Sequence, residues 1–318
     1  MNVTDLSVMA LWGATALYAI AMVASAINLA RVADARVRAR AAVAAGAPGA
    51  PGEATTEAGG ASSPARASSR AAGIARSTTL VGALLHAVGV TARGIDAGHL
   101  PWTNMYEYTI SGAFFAVAVL LIIQRRRDVA FLQTGVVGLA AISVGLALAV
   151  LYAEVNPLPP ALQSFWIAIH VSIAVISTGI FTVAFVASVL QLMRDSRDRG
   201  TRWRGARARF LEAVPGATVL EGLSFRLNAV GFVLWTFTVM SGAMWAEDAW
   251  GRYWGWDPKE VWSFVIWVVY AAYLHARTTQ GWAGRRSAWL AIAGFVALIM
   301  NFTVVNLFFQ GLHTYAGS

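Results

Sequence analysis

Cysteine is absent from this 318-residue chain. That excludes disulfides, a thiol nucleophile and thiolate metal ligands, so any thiol chemistry must be brought by a substrate or a partner. Lysine is almost absent: Lys259 stands alone against 23 arginines. Charge as a whole is scarce, at 13% of residues, while 58% are hydrophobic and the mean hydropathy is +0.59. Several apolar runs approach the ~20 residues that cross a bilayer. The composition therefore describes an all-α, polytopic membrane protein. A pI near 10.4 would suggest nucleic acid as partner of a soluble chain, but here the basic residues have another address, and no nucleic acid is expected.

Eight transmembrane helices are expected, near 8–30, 77–95, 108–124, 129–152, 165–193, 227–245, 261–277 and 288–309. Of the 24 basic residues, 21 fall in alternate loops, at 31–76, 125–127, 194–226 and 277–286. The other loops hold only Arg93, Arg252 and Lys259. By the positive-inside rule, that asymmetry puts both termini on the outer face of the cell membrane. The first helix, within 1–30, lacks a basic leader and is too long for a signal peptide core, so it reads as a retained span. Residues 31–76 read as a disordered cytoplasmic linker: Ala41–Ala75 is Ala, Gly, Pro, Ser and Thr with little apolar bulk. The arginine-rich stretch from Arg194 to Arg209 reads as a solvated or lipid-headgroup-facing surface. Residues 77–318 remain as the functional transmembrane domain.

Six of thirteen tryptophans fall between Trp245 and Trp267. At their centre, Trp250-Gly251-Arg252-Tyr253-Trp254-Gly255-Trp256-Asp257-Pro258-Lys259-Glu260 lies in an outer loop spanning 245–260. An interfacial belt would also gather Trp and Tyr. A belt is diffuse, however, and does not need two glycines and an Asp-Pro step; a platform for a flat ligand does.

The histidines give the second signal. His170, six residues into the fifth span, and His313, after the eighth, share the outer depth of the Trp loop. His86 and His275 each lie ten residues from a basic boundary, Arg76 and Arg285. At ~1.5 Å per residue, that is roughly 15 Å from the cytoplasmic face. His99, in Gly98-His99-Leu100-Pro101-Trp102, reads as a packing or hydrogen-bonding loop residue. Ionisable groups inside a membrane are expensive and mark function by default, although a single histidine can equally be bonded across helices. Two histidines at each of two depths suggest two bis-imidazole sites. A haem suits that pattern: its iron takes axial nitrogens, its ring stacks on indole, and its propionates need cations such as Arg252 or Lys259. Zinc would draw more closely spaced ligands.

The loop Trp250-Gly251-x-x-Trp254-x-Trp256-Asp257 resembles the WWD signature of the haem-handling family that includes CcsA/ResC, CcmC and CcmF. Gly98–Glu107, Leu162-Gln163-Ser164, Pro258–Ser263, Tyr273–Arg277 and Gly311-Leu312-His313-Thr314-Tyr315-Ala316 are similar to the CcsA-type members, labelled CcsB in actinobacteria. The resemblance implies System II cytochrome c maturation. There, with a ResB-type partner, haem b is moved outward and attached to the CxxCH motif of apocytochrome c, whose thiols a thioredoxin-like protein keeps reduced. It further implies that His170 and His313 are axial ligands of an outer haem. Trp250, Trp254, Trp256 and Asp257 would be its platform, and His275, with His86 or a partner residue, an inner site. Two rivals use the same residues: a di-haem b-type electron carrier, and a transporter of another flat aromatic ligand.

Overall fold

The computed structural model describes residues 2–44, 64–203 and 205–313. Among these there is no strand, and eight long helices follow one another: α1 (Val3–Ala44), α2 (Pro64–Ala97), α3 (Met105–Gln124), α4 (Ala130–Val150), α5 (Phe165–Asp198), α6 (Ala217–Trp250), α7 (Pro258–Thr279) and α8 (Arg285–Met300). A π turn, Asn301–Val305, and a last helical turn, Asn306–Phe308, prolong α8. Seven of the helices are long and apolar enough to cross a membrane. The remaining one, α7, is diluted by Lys259, Glu260, His275 and Arg277 and falls short by composition. The chain is thus an all-helical, multi-pass membrane protein.

Two packed layers share α5. In the first, α1, α3 and α4 surround Tyr18, Ile110, Leu132 and Val136, with Val183 and Val186 of α5 closing the core. In the second, Phe181 of α5 meets Trp235 of α6, Tyr270 of α7 and Phe295 of α8. Phe181 and Tyr270 stack at 3.9 Å between centroids. Close approach of helices needs small residues, because lipid gives no hydrophobic drive for helices to associate. Gly179 of α5 illustrates it: a Cβ there would sit 2.8 Å from the α3 backbone at Phe115 and Ala116. One buried ion pair, Arg93 to Glu107 at 2.9 Å, ties α2 to α3, and Glu107 also accepts from the Thr103 amide and hydroxyl.

The expected linker is shorter than 31–76. Helix α1 runs on to Ala44 and α2 begins at Pro64. Residues 45–63 lie outside the described ones, as do Thr314–Ala316 of the closing motif. The extension is explained by Ala and Arg, both strong helix formers, and by a partner surface. Arg36 and Arg40 reach the backbone carbonyl and carboxylate of Glu212, and Arg209 reaches Asp34. Glu212 sits in a 3₁₀ segment, Ala206–Ala213, inside the arginine-rich loop. Burial alone would raise its pKa, but the Arg197 hydrogen bond and the charges of Arg197, Arg194 and Arg40 hold the carboxyl below its ordinary value. Arg194, Arg197, Arg199 and Arg209 of that stretch thus also make ion pairs within the protein, several of them on the exposed surface.

Candidate functional site

The Trp-rich loop folds around two carboxylates. Helix α6 ends at Trp250, and Gly251 takes a left-handed φ of 68°, the conformation that makes glycine the common stop residue. Helix α7 opens with Asp257 as N-cap, Pro258 in the first turn and Glu260 completing a capping box. Glu260 Oε2 accepts from the amides of Gly255 (2.8 Å) and Asp257 (3.1 Å). Those two bonds bracket Trp256, whose φ of 59° is unusual for a bulky residue and needs such support. The Trp256 indole is thrown outward and is 76% exposed.

Asp257 joins the loop to the C-terminal turn. Its Oδ1 accepts from the Lys259 amide and from His313 Nδ1 at 2.7 Å, and its Oδ2 accepts from the Leu312 amide at 2.7 Å. Burial pushes the carboxyl pKa up, but the hydrogen bond and charge of His313, with the two amides, hold it below the ordinary value. A carboxylate only accepts, so a neutral His313 carries its proton on Nδ1 and leaves Nε2 free.

His170 has the same arrangement by another route. Its Nδ1 lies 2.8 Å from the Thr238 carbonyl of α6, which again only accepts. Nε2 is left with its lone pair, the tautomer a metal ligand needs. Gly242, one turn further along α6, makes the room: a Cβ there would lie 2.7 Å from His170 Cε1 and 2.8 Å from Nδ1. Trp245 bridges the two imidazoles. It stacks with His170 (centroids 5.9 Å, planes 10° apart) and meets His313 edge-on at 5.3 Å. Its Nε1 donates to the Ala161 carbonyl at 2.8 Å, which fixes the ring.

Both histidines line one cavity of about 530 Å³, inside the ~300–1,000 Å³ range of small-molecule sites. The α2–α3 loop contributes His99, Trp102 and Asn104, and the segment before α5 contributes Leu162, Gln163 and Ser164. Trp254 is on the wall, whereas Trp250 packs edge-on against His313 from outside the lining, at 4.8 Å. Trp256, set at right angles to Trp254, is not in the lining either. Of the expected platform, then, Trp254 faces the cavity, Trp250 and Asp257 support His313, and Trp256 faces outward.

The inner histidines are not brought together. His86 is fully buried; its Nδ1 meets the Tyr18 hydroxyl at 3.2 Å, and its ring meets Phe114 edge-on at 5.6 Å. The ring also lies within reach of the Ile110 backbone. His275 is exposed on α7, which packs on α6 and α8. Two contributors carry no signal in the sequence: Thr238, which acts through its backbone carbonyl, and Gly242. Trp245 stands at the edge of the tryptophan cluster, and His99, expected as a packing or hydrogen-bonding loop residue, bonds the Leu100 carbonyl at 3.0 Å and also lines the cavity.

The cytochrome C assembly protein family matches residues 102–313. The cytochrome c biogenesis protein CcsA of Synechococcus sp. (strain CC9605) is 34% identical over 270 residues, covering 77% of this chain and 87% of that one. The CcsA of Gloeobacter violaceus is 33% identical over 288 residues, covering 73% of this chain and 83% of its own. Among solved structures, the cytochrome c heme lyase CcmF superposes with a TM-score of 0.61 at 14% identity. That match covers 95% of this chain and 47% of CcmF, and it is a likeness of fold. With its apolar helices and bacterial relatives, this multi-pass bacterial membrane protein belongs to the cytochrome c assembly family, as a CcsA-type component of System II cytochrome c biogenesis.

Proposed function

We propose that this chain is the membrane haem-handling subunit of a cytochrome c synthase. It carries haem b as cargo to the outer face and holds it between His170 and His313 for attachment to the CxxCH motif of apocytochrome c. One observation carries the reading: two imidazoles, each with Nδ1 committed to a fixed acceptor and Nε2 free, line the same cavity. Two preset nitrogen ligands beside apolar walls suit an iron porphyrin. Trp254 offers a stacking face and Trp245 holds both rings in register.

The missing cysteine fits a presenter rather than a covalent carrier. The thiols belong to the apocytochrome, kept reduced by a thioredoxin-like protein, and the chain contributes position and axial ligation. The exposed Trp256 edge stands where the apocytochrome would approach. A ResB-type partner is assigned to the α7 surface that bears His275, because an exposed imidazole at membrane depth needs a second ligand from elsewhere. The distribution of basic residues among the loops supports a Trp loop and termini on the outer face.

The test is the haem content and maturation activity of His170→Ala and His313→Ala in the full chain with its partners. Each should lose the low-spin bis-imidazole spectrum and stop cytochrome c maturation, and added imidazole should restore part of both by filling the empty axial position. Normal maturation in the double variant would sink the assignment. Haem that no CxxCH peptide can remove would instead make the protein a fixed electron carrier.

A further inference from the structure

Among the described residues, the buried Arg93 meets Glu107 at 2.9 Å, and the half-buried Arg277 meets the buried Glu221 at 2.7 Å. Lys259, the single lysine of the chain, is different. It lines the cavity, and among the described residues its ammonium is in ion-pair range of no carboxylate. Its Nζ donates to the Asn301 carbonyl at 3.1 Å and to Asn306 Oδ1 at 2.7 Å. An ammonium has three donors, so one N–H remains uncommitted, and its charge is balanced only at a distance, by Asp257. The neighbouring Asp257 carboxylate is occupied by His313, Leu312 and the Lys259 amide.

The second observation lies across from it, on α8. The helix loosens into a π turn at Asn301–Val305, a feature common at functional sites. Asn301 is 5% exposed, yet among the described residues its Oδ1 has no hydrogen-bond partner, an unsatisfied buried acceptor that usually waits for a ligand or water. Both asparagines and Ser263 line the same cavity as Lys259, which makes one polar corner in a largely apolar chamber. Arg252, the other cation of the loop, is already occupied. It lies 3.6 Å from Glu260 and over the Trp250 ring, and it is absent from the cavity wall.

We propose that Lys259, Asn301 and Asn306 form a carboxylate subsite that anchors the propionate edge of the porphyrin. The inference rests on the haem reading above and adds to it. Two axial imidazoles leave a porphyrin free to turn about the axis through the iron, and a carboxylate held at the α7–α8 corner stops that rotation. The propionates sit on one side of the macrocycle and the vinyl groups away from them. Anchoring the first therefore presents the second to an incoming thiol in one orientation. Asn301 Oδ1, an acceptor, takes the water that a carboxylate brings with it or the hydroxyl of a protonated propionic acid.

The experiment compares haem with haem dimethyl ester, whose propionates carry no charge, in the purified full chain. The rate of loss to an excess of a haem-scavenging apoprotein is read from the bis-imidazole spectrum. Wild type should release the diester at least about tenfold faster than haem, since a charge-assisted bond of this kind is lost. Lys259→Met should bring the two rates together by speeding the loss of haem, and Lys259→Arg should keep part of the difference. Equal release of the two from wild type, with both showing bis-imidazole spectra, overturns the subsite and leaves the haem reading intact. This comparison needs no variant, so poor folding of Lys259→Met cannot hide it. A Lys259→Met protein that keeps the wild-type ratio also overturns it. If neither porphyrin gives a bis-imidazole spectrum in wild type, the haem reading fails and this subsite with it.

Discussion

His170 and His313 each have one ring nitrogen held by a fixed acceptor, and both line a shared chamber. His86 is sealed between helices against Tyr18, and His275 stands on the outside of α7. Sequence spacing assigns each pair a common depth, but the two pairs differ in everything that makes a site. Depth along a helix follows from ~1.5 Å per residue, but the direction of a side chain follows from the 3.6-residue turn and from which faces pack. The outer pair is also supported by its neighbours: the Asp257 carboxylate, the Thr238 carbonyl and the gap at Gly242. Among the described residues, no such support surrounds the His275 imidazole.

The hardest blow to this contrast that leaves both outer histidines in the chain is Gly242→Ala. The new Cβ would lie 2.7 Å from His170 Cε1, so the imidazole must leave its bond to Thr238. Haem retention should fall ~10–100-fold, the usual cost of misplacing a ligand through its support, while the helical circular dichroism stays unchanged. Retention equal to wild type would mean that the position of His170 is not preset. Asp257→Ala comes next. It removes the Nδ1 acceptor of His313 and the N-cap of α7, and an N-cap alone is worth roughly 1 kcal/mol. The expected loss in haem affinity is again about 10–100-fold, with a lowered melting temperature that Gly242→Ala should not share.

Much of this architecture was legible beforehand. Helix existence followed from apolar run length, and the tryptophan cluster and the two outer histidines pointed to residues that line one cavity. Asp257-Pro258-Lys259-Glu260 held more than was taken from it, since Asp and Glu three apart with Pro between them write a capping box. Helix ends were missed where Ala and Arg continue a helix out of the membrane, because hydropathy stops at the bilayer and helix propensity does not. The Thr238 carbonyl could not have been found. A backbone group carries no letter of its own, and its value as acceptor depends on how α5 and α6 are turned against each other.

The inner level should respond less, and unequally. His275→Ala in the isolated chain should leave haem added from outside fully retained at the outer site. With the ResB-type partner present, the same change should reduce outward delivery several-fold. Loss of outer haem in the isolated chain would show that the two levels are coupled within this protein. His86→Phe should leave haem untouched and cost about 1–3 kcal/mol, because the Tyr18 hydroxyl loses its buried partner. The pair His86→Phe with Tyr18→Phe should recover most of that loss, which a thermal or denaturant titration in detergent would read. Emptying of the outer site by His86→Phe would restore the inner histidine to a functional role.

The smallest effect concerns the charge on Asp257. Its pKa is held below the ordinary value of 3.8 by His313 and two amides, against the opposing push of burial. A depressed carboxyl stabilises the fold above its ordinary pKa, and that contribution disappears as pH falls through the lower folded value. The comparison to make is wild type against Asp257→Asn, which keeps the shape and removes the charge. Wild type should unfold at the higher temperature near neutral pH. The gap should persist down to about pH 4 and close only below it. A gap that already closes between pH 7 and 5 would mean that the advantage does not come from the Asp257 carboxylate. The C-terminal turn at His313 would then be held chiefly by the Leu312 amide and by the packing of His313 on Trp245 and Trp250.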